Sequence, residues 1–240
     1  MVERASTPAE VDAFQRGRYQ HALNFVKGKR VLDVACGIGY GSAMMKERGA
    51  LSVLGVDIAP EAIAVARAHY EQPDVQFQVA DCFAVEGVYD VVVSLETIEH
   101  LEDGFVWPAK IARLLAQEGM AVISTPVRRR GALESPPANP YHRREWSQSE
   151  FLRLLAASFA QVDLLYQGLL LRDLSGSRTV RAPKRLFSAY ALWRQVISSK
   201  QSVLTADQWF AEYGFWPAYM VGICRKSAPA PGTRSPGPGS

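Results

Sequence analysis

Alternating strand-like and helix-like segments predict an α/β fold, a doubly wound and mostly parallel sheet with helices on both faces. Three observations carry this expectation. Seven short apolar runs, at 30–35, 51–56, 75–79, 88–94, 120–124, 161–166 and 220–224, read as strands. Helix-like segments at 39–48, 60–70, 106–117 and 148–157 separate most of them. The first strand-to-helix turn carries glycines at 37, 39 and 41. Parallel neighbours need a crossover, which this alternation supplies. The last strand is expected to be antiparallel.

Each element has a local reason. Val11, Phe14, Leu23 and Val26 give the segment 10–27 the look of leading helices. Pro60 stands at a first helical position, where its missing N–H costs nothing. Val88-Tyr89-Asp90-Val91-Val92-Val93-Ser94 is a buried-strand run. Gly119 is expected to stop the helix 106–117. Strand 120–124 ends at Thr125-Pro126, and Ser147-x-x-Glu150 is a capping box for the helix at 148.

Two stretches break the alternation. Residues 127–146 hold Arg128-Arg129-Arg130, Pro136-Pro137 and Pro140 and read as a long ordered loop or lid. Residues 168–215 read as partly helical, with Phe187, Tyr190, Leu192, Trp193 and Val196, either a substrate cover or a packed extra helix. A single domain over 1–226 is expected, with a disordered Pro/Gly/Ser tail at 227–240.

Composition bounds the function. A net charge of +3 is too small to argue for nucleic acid or a membrane surface. Cys36, Cys82 and Cys224 show no spacing of a disulfide framework or zinc site. No run approaches the length of a membrane span, and the first residues lack the apolar core of a signal peptide. A soluble cytoplasmic protein is the expectation.

The run Val31-Leu-Asp-Val-Ala-Cys-Gly-Ile-Gly-Tyr-Gly41 carries the chemistry. Glycine lets a ligand lie against the backbone, and the following helix offers unpaired N–H groups. Dinucleotide enzymes use G-x-G-x-x-G over a pyrophosphate. Here the spacing is G-x-G-x-G, and Asp33 lies within the strand. A carboxylate repels pyrophosphate but suits an amine or sulfonium. Asp57 follows the second strand and can accept hydrogen bonds from ribose hydroxyls. Asp81-Cys82 follows the third.

The run Leu32 to Gly39 resembles the first motif of class I S-adenosylmethionine (SAM) methyltransferases acting mainly on small molecules. The resemblance spans about residues 18–165 and the last strand. It implies a Rossmann-like, seven-stranded fold, with SAM as cofactor and S-adenosylhomocysteine (SAH) as product. It places Asp33, Gly37 and Gly39 at the cofactor loop, and Asp57 and Ile58 beside the ribose. Asp81 would receive the adenine amino group and the Cys82 backbone the ring, while Tyr19 of Arg18-Tyr19 would cover the methionine end. The reaction implied is direct displacement at the sulfonium methyl, helped by alignment and a route for the acceptor's proton.

The acceptor side centres on Ser94-Leu-Glu96-Thr-Ile-Glu99-His100. On a helical turn, Glu96, Glu99 and His100 would share one face. Asn139-Pro-Tyr-His142-Arg-Arg-Glu145-Trp146 can return over the same edge. This combination resembles two groups of metal-assisted O-methyltransferases, the small-RNA 3′-end 2′-O-methyltransferases and the ubiquinone-pathway enzymes. By that resemblance Glu96, Glu99, His100 and His142 hold Mg²⁺ or Mn²⁺, which lowers the pKa of an acceptor hydroxyl. Two alternatives stay open. Glu96 lies beside the cofactor with His100 or His142 as a metal-free base, or these residues are structural. Thr125-Pro126-Val127 departs from the family's Thr-Pro-Asn, which removes one acceptor contact.

Arg128 to Arg130, Arg143-Arg144 and Lys184-Arg185 are a modest basic set for RNA. The expected partner is therefore a small-molecule acceptor, a sugar, phenol or natural-product intermediate methylated on a hydroxyl. N-methylation of a small amine, RNA 2′-O-methylation and non-catalytic SAM binding are the alternatives. The oligomeric state is open, with a homodimer among the options.

Overall fold

A computed structural model of the protein describes residues 7–11, 13–128, 137, 139–172, 179–181, 197–198 and 216–227. The chain divides into two units: Met1–Leu95, Ala109–Val122 and Arg225–Ser240 in the first, Glu96–Pro108 and Ile123–Cys224 in the second.

The first unit holds α1 (Ala13–Leu23), β1 (Arg30–Val34), α2 (Tyr40–Glu47), β2 (Ser52–Asp57), α3 (Pro60–Tyr70), β3 (Val75–Val79) and β4 (Tyr89–Leu95). Its strand order is β3-β2-β1-β4, then β5 (Leu115–Pro126), which continues into the second unit. The pairs β1–β2, β1–β4 and β2–β3 are all parallel. Burial explains the order. Val91, Val92 and Val93 of β4 are buried without alternation, as a central strand covered on both faces requires. Within β3, Val75 and Phe77 are buried while Gln76 and Gln78 are exposed, the period-two pattern of a strand at the sheet's margin. The register pairs Val34 with Val56 and Asp57 with Val79, so the carboxyl ends of β1, β2 and β3 share one edge.

The second unit holds α5 (Gln148–Ala156), β6 (Gln161–Arg172), β7 (Thr179–Arg181), β8 (Ile197–Ser198) and β9 (Trp216–Arg225); α4 (Trp107–Leu114) starts in it and leads into β5. Here the order is β5-β9-β6-β7, with β8 also on β6. β7 and β8 lie antiparallel to β6. Val127 N–H donates to Ala218 O at 3.0 Å, and within the first unit Lys226 N–H donates to Gly119 O at 3.1 Å. Partner numbers fall on β9 as they rise on β5, so this pair is antiparallel too. β1 to β6 and β9 make the expected seven-stranded mixed sheet, and β7 and β8 are short additions.

The capping box is present: Glu150 accepts the Ser147 N–H at 2.8 Å and the Ser147 hydroxyl at 2.6 Å. Two expectations are corrected. The helix expected over 106–117 ends at Leu114, and β5 begins at Leu115 rather than 120. Gly119 does not stop a helix, because it lies inside β5 with its carbonyl paired to Lys226. Within 168–215 the described pieces belong to β6, β7 and β8, and the helical expectation over 187–196 lies outside the described residues. Phe187, Tyr190, Leu192, Trp193, Val196, Lys184, Arg185, Arg129, Arg130, Pro136 and the tail beyond 227 lie outside the described residues. No helix among the described residues is long and apolar enough to cross a membrane.

Candidate active site

The glycine turn after β1 is built by close packing. A side chain at Gly41 would put its Cβ 2.0 Å from the Tyr19 ring, so α1 and α2 approach only because position 41 has none. Gly39 has φ +83° and caps α2 without a side chain of its own to bond the helix's first N–H groups. At Gly37, φ +56°, nothing lies within 4 Å of where a Cβ would stand. The backbone face there is open to a ligand, a cradle that fits a cofactor lying over the turn.

Asp57 locks this turn. Its carboxylate accepts Gly37 N–H and Ala59 N–H, both at 2.9 Å. Each oxygen keeps a further lone pair, enough for ribose hydroxyls. Asp57 O also accepts Ala80 N–H at 3.0 Å, which brings the end of β3 alongside. Asp81 stands two residues beyond β3, where its carboxylate accepts Phe83 N–H at 2.8 Å and caps a short 3-10 turn. Cys82 follows it, and burial together with the Asp81 charge pushes its thiol up to about 11, which keeps it neutral. Ile58 is 67 % exposed, an apolar side chain in solvent at the same edge.

Asp33 is buried beneath the turn. It is 1 % exposed and accepts the Ser42 hydroxyl at 2.6 Å and the Tyr19 hydroxyl at 3.3 Å. Burial pushes its carboxyl up to about 7, against the two hydroxyls that favour the charged form. Asp33 thus ties α1 and α2 beneath the turn. Ser42 had no signal in the sequence, because a serine inside a helix is ordinary until its buried partner is seen. Ala35, directly after β1, has φ +56°, a left-handed conformation that costs a non-glycine residue about 1 kcal/mol or more and clusters at functional sites.

The second unit gathers the residues expected on the acceptor side. Glu96 is also left-handed, φ +53°, so Glu96, Glu99 and His100 do not share a helical face as expected. The helical turn is only Ile98–His100. Glu96 instead pairs with β5: its N–H donates to Ser124 Oγ at 3.1 Å, and Ser124 Oγ donates to Glu96 Oε1 at 2.7 Å. Glu99, His100 and His142 do converge, with one ligating atom of each within 4.8 Å of the others. Glu96 is not in that group. Glu99 is fully buried, and Thr125 Oγ1 donates to its Oε2 at 3.2 Å. The Arg143 and Arg144 N–H groups donate to Glu99 O at 2.7 and 3.2 Å, which brings the 139–146 loop over the turn.

The histidine tautomers follow from the network. His100 Nδ1 lies 2.9 Å from Tyr141 O, which can only accept, so Nδ1 carries the proton and Nε2 the lone pair. That Nε2 is 4.0 Å from Glu99 Oε1. His142 Nδ1 lies 2.7 Å from Glu145 Oε1, and its Nε2 lies 2.9 Å from the Asn139 amide nitrogen. The two rings meet edge to face, with centroids 5.0 Å apart. Glu145 and Asn139 flank His142 in the sequence. His-x-x-Glu on a turn was the available signal.

Sequence and fold are similar to those of known proteins. A methyltransferase-domain family model matches residues 32–123. A Mycolicibacterium smegmatis protein named a probable S-adenosylmethionine-dependent methyltransferase is 31 % identical, covering 79 % of this chain and 77 % of its own. A ubiquinone biosynthesis O-methyltransferase of Idiomarina loihiensis is 34 % identical, covering 70 % and 75 %. The crystal structure of the N-methyltransferase NodS of Bradyrhizobium japonicum with SAH superposes with a TM-score of 0.58 over 91 % of this chain and 90 % of that one, at 15 % identity, a likeness of fold. Glycine turn, sheet order and relatives agree: the chain belongs to the S-adenosylmethionine-dependent methyltransferases.

Proposed function

We propose that this enzyme methylates a hydroxyl of a small-molecule acceptor, with Glu99, His100 and His142 holding a divalent cation beside it. The convergence of these three side chains, one ligating atom of each within 4.8 Å of the others, carries the reading. Metal-binding histidines characteristically donate their other N–H to a carbonyl or carboxylate. His100 does so to Tyr141 O and His142 to Glu145. The donor set is two nitrogens and one oxygen, with Glu96 engaged by Ser124. Imidazole suits later first-row ions, while carboxylate and an acceptor oxygen suit Mn²⁺ and Mg²⁺. When bound, such an ion lowers the pKa of an oxygen ligand. In methyl transfer the acceptor oxygen bonds to carbon as the carbon–sulfur bond breaks, and its proton must leave. The O-methyltransferase among the relatives supports an oxygen acceptor.

Arg128, from the basic set considered for RNA, is bound to Glu150. Arg144 lies over the Phe105 ring at 4.3 Å. Neither stands free for a phosphate backbone, which favours a small acceptor.

A second reading rests on the His142–Glu145 pair, which orients an imidazole as a metal-free general base requires. Calorimetry separates the two. Mn²⁺ and Mg²⁺ are titrated into SAH-saturated wild type and Glu99→Ala. Binding in the wild type that vanishes in the variant is expected. Absence of binding in both leaves His142 as base and opens the acceptor range to amines.

A further inference from the structure

We propose that Glu145 is a positioning residue that fixes His142 in its Nδ1–H tautomer, so that Nε2 is the nitrogen presented to the site. The inference rests on the reading that His142 acts there, whether as ligand or as base.

The assignment is forced by a chain of three hydrogen bonds. The Tyr141 backbone N–H can only donate, and it lies 3.0 Å from Asn139 Oδ1. That contact fixes which end of the Asn139 amide is oxygen. The other end, the NH₂ group, therefore faces His142 Nε2 at 2.9 Å. An amide NH₂ only donates, so Nε2 must accept and carries no proton in the neutral ring. The ring proton is then on Nδ1, which donates to Glu145 Oε1 at 2.7 Å. A buried carboxylate is the strongest available acceptor for it. The side chains of His142 and Glu145 are only 7 % and 15 % exposed, so water competes weakly for either group.

The same chain shows what Asn139 does. Its amide satisfies the Nε2 lone pair of a largely buried imidazole. Any ligand that takes Nε2 must displace this amide, a neutral hydrogen bond that contributes about 0.5–1.5 kcal/mol. Glu145 is on the opposite side of the ring and stays in place when Asn139 leaves. The two partners thus have different functions: Glu145 orients, and Asn139 covers.

The test reads the tautomer directly, in the full-length protein without added metal. The chain has only four histidines, at 21, 69, 100 and 142, so long-range proton–nitrogen correlation of the imidazoles is tractable. Spectra are taken at a pH where the exposed rings are neutral, with His142→Gln used to assign its signals. Wild type is expected to show His142 protonated on Nδ1. Glu145→Gln keeps an acceptor oxygen and is expected to retain that tautomer. Glu145→Leu keeps the bulk without an acceptor and is expected to lose it, with SAH affinity unchanged as the check of fold; Glu145→Ala replaces it if Leu disrupts the loop. As a second readout, Mn²⁺ affinity should fall about 10- to 100-fold in the Leu variant and be largely kept in the Gln variant. Wild-type His142 protonated on Nε2 overturns the proposal, as does an unchanged Nδ1–H tautomer in both acceptor-free variants. If wild type binds no Mn²⁺ yet shows the fixed tautomer, the cation reading fails and the positioning role stands.

Discussion

Asp57 reaches back across twenty residues of chain to accept the Gly37 N–H at 2.9 Å, while its other oxygen accepts Ala59 N–H. One carboxylate therefore shapes the turn after β1 and the start of α3, and it retains lone pairs for a ribose. Asp57→Ala removes both functions. Hydrogen bonds to a charged group contribute roughly 1.5–3 kcal/mol each, so SAH affinity should fall by about 100-fold or more. Calorimetry checks this, and unchanged affinity would refute the ribose-side assignment.

The glycines of the same turn should separate stability from binding. Gly41→Ala drives a Cβ into the Tyr19 ring, and overpacking of this kind costs about 1–3 kcal/mol. Gly37→Ala meets no atom of the protein, so its stability cost is only that of a left-handed alanine, about 1 kcal/mol. Its methyl does enter the open face of the turn. We expect Gly41→Ala to lower the urea midpoint more, and Gly37→Ala to weaken SAH binding more. The reverse ranking would mean that the cofactor does not lie over Gly37.

Asp33 and His21 should give stability an opposing pH dependence. Burial raises the Asp33 carboxyl from 3.8 to about 7, so between those values the folded state holds a proton that the unfolded state has released. This contribution weakens the fold as pH rises from about 4 to 7 and is flat above. Burial lowers His21 from 6.5 to about 4, so the unfolded state holds more protons there and the fold gains as pH rises through that window. Asp33→Asn removes only the first effect. Its stability relative to wild type should therefore increase from pH 4 to 7 in denaturant titrations. A constant difference would show that Asp33 is ionised throughout.

Ser124 should act on Glu96 alone. Ser124→Ala removes a hydroxyl that both accepts the Glu96 N–H and donates to its carboxylate. Loss of such partners at a partly buried residue costs about 1–3 kcal/mol. Because Glu96 lies outside the group of Glu99, His100 and His142, Mn²⁺ affinity should stay within about 3-fold of wild type, less than one ordinary hydrogen bond's worth. A loss as large as that of Glu99→Ala would bring Glu96 into the cation site.

How far the sequence led depends on whether a signal is local. α3 and β3 lie at the expected residues, 60–70 and 75–79, because Pro60 marks one start and a five-residue apolar alternation sets the other. The glycine turn after β1 was legible for the same reason: its glycines stand at fixed offsets from the strand. Leu115-Ala-Gln-Glu118 misled because these are helix formers, and place in the sheet overrides that local preference. The shared face of Glu96, Glu99 and His100 assumed helical backbone, and one left-handed residue at Glu96 broke it. Ser124 pairs with Glu96 across 28 residues, a contact that no periodicity announces.

The proposed role of Glu99, His100 and His142 is to hold a cation that assists methylation of a hydroxyl. Its most direct test is transfer of labelled methyl from SAM to a panel of acceptors, catechols and amines included, with and without a chelator. We expect transfer to acceptors with adjacent oxygens, abolished by the chelator, restored by Mn²⁺ and absent in Glu99→Ala. Transfer that survives the chelator and proceeds equally in Glu99→Ala would contradict the claim.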